Sequence, residues 1–145
     1  MIRQWALLTL FAVLSTAVPA ASTGYNVAGT ISGVDEEGTL YVAIFDRRAW
    51  NDTPDFEQGY VQGRSYPVDA GGTVSYRFED VPAGVYAIRA FLDQNGNEDL
   101  DMGMLGPREP WGVYEASGRI LGPPRFDNLA FEVESDVGDA NFRMR

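Results

Sequence analysis

The chain has 145 residues and a formal charge of −10, from 21 acidic and 11 basic side chains, with no cysteine and no histidine. Every basic residue is an arginine, so the chain has no thiolate, imidazole or lysine amine. These absences exclude disulfides, Cys/His zinc sites, histidine-based acid–base triads, Schiff-base chemistry and a lysine-bearing phosphate loop, leaving carboxylates, amides, hydroxyls and guanidinium groups.

The first segment is Met1-Ile2-Arg3, then an apolar run from Trp5 to Leu14 broken only by Thr9, then the small residues Pro19-Ala20-Ala21-Ser22. That pattern predicts a secretory signal peptide over residues 1–21, cleaved near Ala20 or Ala21, and so export to the periplasm or the extracellular space. The run is shorter than the ~20 residues a membrane span needs. Removing it leaves residues 22–145 as a single domain of about 124 residues, and loss of Arg3 takes the net charge to about −11. A chain of that size buries roughly two-thirds of its unfolded surface. Its negative field argues against nucleic acid or an anionic membrane as partner and suits cations.

From Tyr25 onward the pattern has period two. Tyr25–Ser32 reads as a first strand, and Gly33–Gly38, holding Asp35-Glu36-Glu37, as a charged turn. Thr39–Asp46 is apolar on both faces through Leu40–Phe45 and belongs in the middle of a sheet. Arg47–Pro67 is a long polar connection with room for one helical turn after Thr53-Pro54 and a short edge strand near Tyr60–Val68. Val74, Tyr76 and Phe78 alternate with Ser75, Arg77 and Glu79, as in a strand with one wet face. Asp80–Gly84 is a turn, and Val85–Asp93 is a strand apolar on both faces apart from Arg89, so the two predict a hairpin. A stretch rich in Gly, Pro, Asn and Asp then runs to Gly118. Two closing strands follow, marked by Phe131/Val133 and Phe142/Met144. Six or seven antiparallel strands without a long helix need a second sheet to cover the apolar face. The expected fold is all-β: a small antiparallel sandwich with Greek-key connections and about seven strands.

Dense chemistry is confined to Asp93–Asp101. Hard cations such as Ca²⁺ take oxygen ligands from alternate residues of a curled loop. Asp93, Asn95 and Asn97 occupy loop positions one, three and five, the carbonyl of Asp99 the seventh, and Asp101 the ninth. The spacing matches the first nine positions of an EF-hand loop, with Glu98 at the sixth place where glycine is usual and Met104 at the twelfth where glutamate is usual. Glu98 or Glu109 could add a carboxylate. A structural Ca²⁺ held weakly, at ~10⁻⁴–10⁻³ M, is one reading. The other is a solvated turn whose Asx side chains bond their own backbone. A second candidate site is Arg108, Trp111 and Tyr114 in the following loop, which could pack as a plug or recognise a glycan or peptide. Carboxylate pairs such as Asp101 with Glu109, or Asp127 with Glu115, arise by chance among 21 acidic residues, so no enzyme is expected.

Several segments in order carry a family likeness: Gly84-Val85-Tyr86 through Asp93–Asn97, Leu100-Asp101, Gly106–Gly112 and Gly122–Asp127. They resemble the uncharacterised bacterial family catalogued as domain of unknown function 2141, over nearly the whole of residues 22–145. The resemblance implies a bacterial exported protein with a prealbumin-like or immunoglobulin-like sandwich and no assigned activity; the partner expected from the Arg108, Trp111 and Tyr114 loop is an envelope protein or glycan. Where the family often has glycine after Asn-Gly-Asn, this chain has Glu98.

Overall fold

A computed structural model describes residues 23–52, 59–118 and 121–145. The expected leader and the helical turn expected after Thr53-Pro54 fall on residues 1–21 and 53–58, outside the described residues.

The described chain is mostly antiparallel β-structure in several sheets. The elements are β1 (Tyr25–Val34), β2 (Gly38–Phe45), α1 (Arg47–Asp52), β3 (Gln62–Val68), β4 (Gly72–Val81), β5 (Gly84–Asp93), β6 (Met102–Gly103), β7 (Gly106–Pro107), β8 (Trp111–Val113), α2 (Phe126–Leu129), β9 (Phe131–Val133) and β10 (Phe142–Arg143). One sheet has the order β10-β1-β4, and a second has β3-β2-β5-β8 with β9 also pairing β5. β6 and β7 form a separate small hairpin. The β1–β10 pairing is parallel, with Ile31 opposite Phe142.

The two main sheets share one core. Val27 and Ile31 of β1 and Tyr76 and Phe78 of β4 pack against Leu40, Val42 and Ile44 of β2 and Ile88, Ala90 and Leu92 of β5. Because side chains alternate along a strand, Tyr41, Ala43 and Phe45 of β2 and Ala87, Arg89 and Phe91 of β5 fall on the opposite face of the second sheet. That face is covered as well. Ala49 and Trp50 of α1 and Leu100 pack over Phe45 and Phe91, while Phe126 and Leu129 of α2 pack with Ala87 and Val113. Arg47 reaches from α1 to Asp127 of α2, and its guanidinium lies 4.9 Å from the Phe126 ring centroid. The Arg89 guanidinium sits 4.3 Å and 4.9 Å from the Phe45 and Trp50 rings, which accounts for a charged side chain in an otherwise apolar strand. Double coverage is the physical reason that β2 and β5 are apolar on both faces.

The same coverage overturns the expected hairpin between β4 and β5, which lie in different sheets. β4 has a wet face and pairs with β1, with Gly29 opposite Tyr76. β5 has none and sits between β2 and the β8/β9 edge, so the Pro82-Ala83 turn crosses between sheets. The Tyr86 hydroxyl donates back to the Pro82 carbonyl at 2.9 Å and holds that crossing. A helix directly follows β2 at Arg47–Asp52, where the Asp46 carboxylate accepts the Ala49 N–H at 2.7 Å. Gly29 permits the closest approach in the core. A Cβ there would lie 2.1 Å from the Ala140 carbonyl oxygen, which itself accepts the buried Tyr76 hydroxyl at 2.6 Å.

Candidate functional site

Asp93 ends β5 opposite Thr39 and is buried, at 3% exposure. Its carboxylate is the hub of the following turn. Oδ1 accepts the N–H of Gly96 at 2.7 Å and of Asn95 at 3.2 Å, and Oδ2 accepts the N–H of Glu98 at 2.9 Å. Winding three N–H groups around one side chain requires sharp reversals, and the backbone takes left-handed φ values at Gly96 (77°) and Glu98 (63°). The glycine-like conformation expected at the sixth loop position is therefore present, carried by a glutamate.

The remaining members of the pattern converge on Asp101. The Asn95 amide donates to Asp101 Oδ2 at 2.6 Å, and the Asn97 amide to Oδ1 at 3.0 Å. Each asparagine oxygen also accepts a backbone N–H two residues on, Asn95 Oδ1 from Asn97 and Asn97 Oδ1 from Asp99. A carbonyl oxygen carries two lone pairs, so these bonds leave each Oδ1 one acceptor site. Among the described residues no three His, Cys, Asp or Glu side chains gather as a metal cluster, and the gathering here is one carboxylate with two amides, beside Asp93. Both amides face Asp101 through their NH₂ groups, while their oxygens, the atoms a hard cation such as Ca²⁺ would take, face backbone N–H groups.

Glu109 holds the two ends of the loop together. Also buried, it accepts the N–H of Gln94 at 2.9 Å and of Asp101 at 3.2 Å. The Arg108 N–H donates to the Asp101 carbonyl at 2.8 Å, and the Leu92 N–H to the Pro110 carbonyl at 2.9 Å, so the 108–110 segment closes the loop against β5. Gln94 reaches the Glu36 carboxylate on the β1–β2 turn.

The second set of expected site residues is dispersed. Arg108 is exposed and lies over Gly103. Trp111 pairs with Phe91 on the outer face of the second sheet, packs against the cluster around Phe45 and Phe91, and has the Arg145 guanidinium 5.4 Å from its ring. Tyr114 turns to the inter-sheet core and meets the Phe131 ring edge-on at 5.2 Å. Burial, then the nearby Asp139 charge, raises its phenol pKa. The two rings thus lie on opposite faces of one sheet.

An unforeseen feature is a cavity of about 430 Å³ on that outer face. Its walls include the stacked rings of Tyr41 and Phe91, 5.1 Å apart, and the loop residues Asn97 and Glu98. Its floor comes from register: Ala43 lies opposite Gly63 and Tyr41 opposite Ser65, so three small residues sit beside tall aromatic ones. The small residues are visible in the sequence, but their adjacency depends on strand pairing.

A family profile described as "Uncharacterized protein conserved in bacteria (DUF2141)" matches residues 30–141. The chain belongs to this family. The matched span runs from within β1 to the residue before β10, so it includes the 93–101 loop, the 108–110 closure and the cavity. No curated protein and no solved structure matches the chain.

Proposed function

We propose that this protein is an exported, non-enzymatic β-sandwich module whose 93–101 loop takes up Ca²⁺ weakly and is stiffened by it. One observation carries the reading: the loop is already curled about Asp93, with left-handed φ at the fourth and sixth positions, and Asn95, Asn97 and Asp101 drawn together. A cation there would offset the mutual repulsion of Asp93, Asp99 and Asp101 and anchor the connection to β8. The Greek-key, prealbumin-like or immunoglobulin-like arrangement belongs to the same proposal. It is supported by the β3-β2-β5-β8 and β10-β1-β4 orders and by the crossing from β4 to β5. The absence of an enzymatic role is supported by the engagement of the candidate acids. Glu109 is bound to two backbone N–H groups, Asp127 to Arg47 and Glu115 to Arg145.

Thermal melting against calcium concentration tests the proposal. With a Kd of about 0.5 mM, 5 mM Ca²⁺ stabilises the folded state by about 1.4 kcal/mol and raises Tm by about 4–6 °C. Asp101→Ala abolishes the rise. An unchanged Tm at millimolar Ca²⁺ refutes the ion reading and leaves the loop as a self-bonded turn.

A further inference from the structure

The cavity on the outer face of the second sheet borrows Asn97 and Glu98 from the 93–101 loop, and its other walls belong to the sheet and to Tyr60. Its volume lies within the ~300–1,000 Å³ range of small-molecule sites, and it is open to solvent on one side. Its lining is of two kinds. One is the Tyr41–Phe91 stack, with Tyr60 at the far end over Gly63. The other is polar: Ser65 on the exposed face of β3, and Asn97 and Glu98 on the loop. We infer that this cavity binds a neutral saccharide, one apolar face of a pyranose ring lying on the partly exposed Tyr41 ring, which the fully buried Phe91 backs, and its hydroxyl edge meeting Ser65, Asn97 and Glu98.

Complementary chemistry selects that ligand class. A pyranose has an apolar C–H face and a polar perimeter, matching an aromatic wall beside short amide, hydroxyl and carboxylate groups. A purely apolar ligand would bury the polar rim without partners, at a cost of ~1–3 kcal/mol per group. An anionic ligand meets a negative field. The Tyr41 phenol has a raised pKa, chiefly from burial and then from the negative charges of Glu98 and Asp93, so the acidic field reaches the cavity wall. Arg64 lines the cavity too, but its guanidinium bonds the Gly63 carbonyl and Gln62 and lies 5.9 Å from the Phe78 ring, which directs it around the sheet edge.

The test is an NMR titration of the full ¹⁵N-labelled chain with cellotriose, maltotriose, chitotriose and the anionic trisaccharide trigalacturonate. At least one neutral trisaccharide is expected to saturate with a Kd of about 1 mM, shifting the amides of Tyr41, Ser65 and Asn97, and trigalacturonate to bind about tenfold more weakly. Ser65→Tyr fills the cavity from an exposed edge position, so it should weaken binding at least about tenfold with an unchanged melt. Glu98→Gln should narrow the preference against the uronate. The inference is overturned if no neutral trisaccharide binds at about 10 mM, if Ser65→Tyr binds as the parent does, or if trigalacturonate binds as tightly as the neutral sugars. Running the series with and without Ca²⁺ separates this result from the calcium reading, since the cavity is formed without an ion.

Discussion

Replacing Asp93 by alanine removes the side chain around which the 93–98 turn is wound. Three backbone N–H groups lose a charged acceptor at 2.7, 2.9 and 3.2 Å. A hydrogen bond to a charged group contributes ~1.5–3 kcal/mol, but the three donors belong to exposed residues that water can reach. They also share one acceptor, so their contributions do not add. The expected loss is about 3 kcal/mol, a fall in Tm of roughly 10 °C for a domain of this size. Asp93→Asn keeps one carbonyl oxygen for Asn95 and Gly96 but presents an NH₂ group to the Glu98 N–H, at a cost of about 1–2 kcal/mol. Urea denaturation in calcium-free buffer measures both. An alanine variant within about 0.5 kcal/mol of the parent, or an asparagine variant worse than alanine, would refute the hub assignment.

Three other measurements probe the scaffold. Gly29→Ala forces a Cβ against the Ala140 carbonyl and should cost about 3 kcal/mol or more in chemical denaturation, whereas a neutral effect would mean that the 139–141 segment yields freely. Tyr76→Phe removes the hydroxyl bond to Ala140 and should cost about 1 kcal/mol at neutral pH. Burial, followed by the influence of Tyr114 and Tyr66, raises the Tyr76 pKa, so its contribution is complete below the unfolded value of about 10 and is lost as pH rises above it. The variant should therefore lose less stability than the parent above that pH, and parallel alkaline limbs would contradict this. The Asp136 pKa is depressed, first by the Asn26 backbone N–H at 2.8 Å and then by the Asn26 side chain. Its contribution is present above about pH 4 and fades as pH falls through the depressed value, so Asp136→Asn should flatten the acid limb of a stability–pH curve. An unchanged limb would remove that tether from the account.

Strand positions were legible wherever burial is one-sided or complete. The alternation of Val74, Tyr76 and Phe78 became β4, and the unbroken apolar run Leu40–Phe45 became a central strand. The loop chemistry was legible too, because the Asx spacing of Asp93, Asn95, Asn97 and Asp101 is local in sequence and its hydrogen bonds are local in space. Pairings were not. The predicted β4–β5 hairpin rested on a short turn, and a turn of that length serves a crossing between sheets as readily as a return within one. The segment after Gly118 offered Pro123-Pro124 and a short Phe126–Leu129 run, too brief for helical periodicity to announce α2.

Composition and local spacing alone determined that only oxygen and guanidinium groups are on offer for chemistry, that β2 and β5 are apolar on both faces, and that the Asp and Asn residues of 93–101 are gathered in a single loop. Only the tertiary structure decided which strands meet. Register placed Ala43 beside Gly63 and Tyr41 between Ser65 and Phe91, and so created a cavity. It also put Trp111 and Tyr114 on opposite faces of one sheet. Side-chain alternation is a property of each strand and can be read along it, whereas adjacency across strands is set by the packing of the whole core.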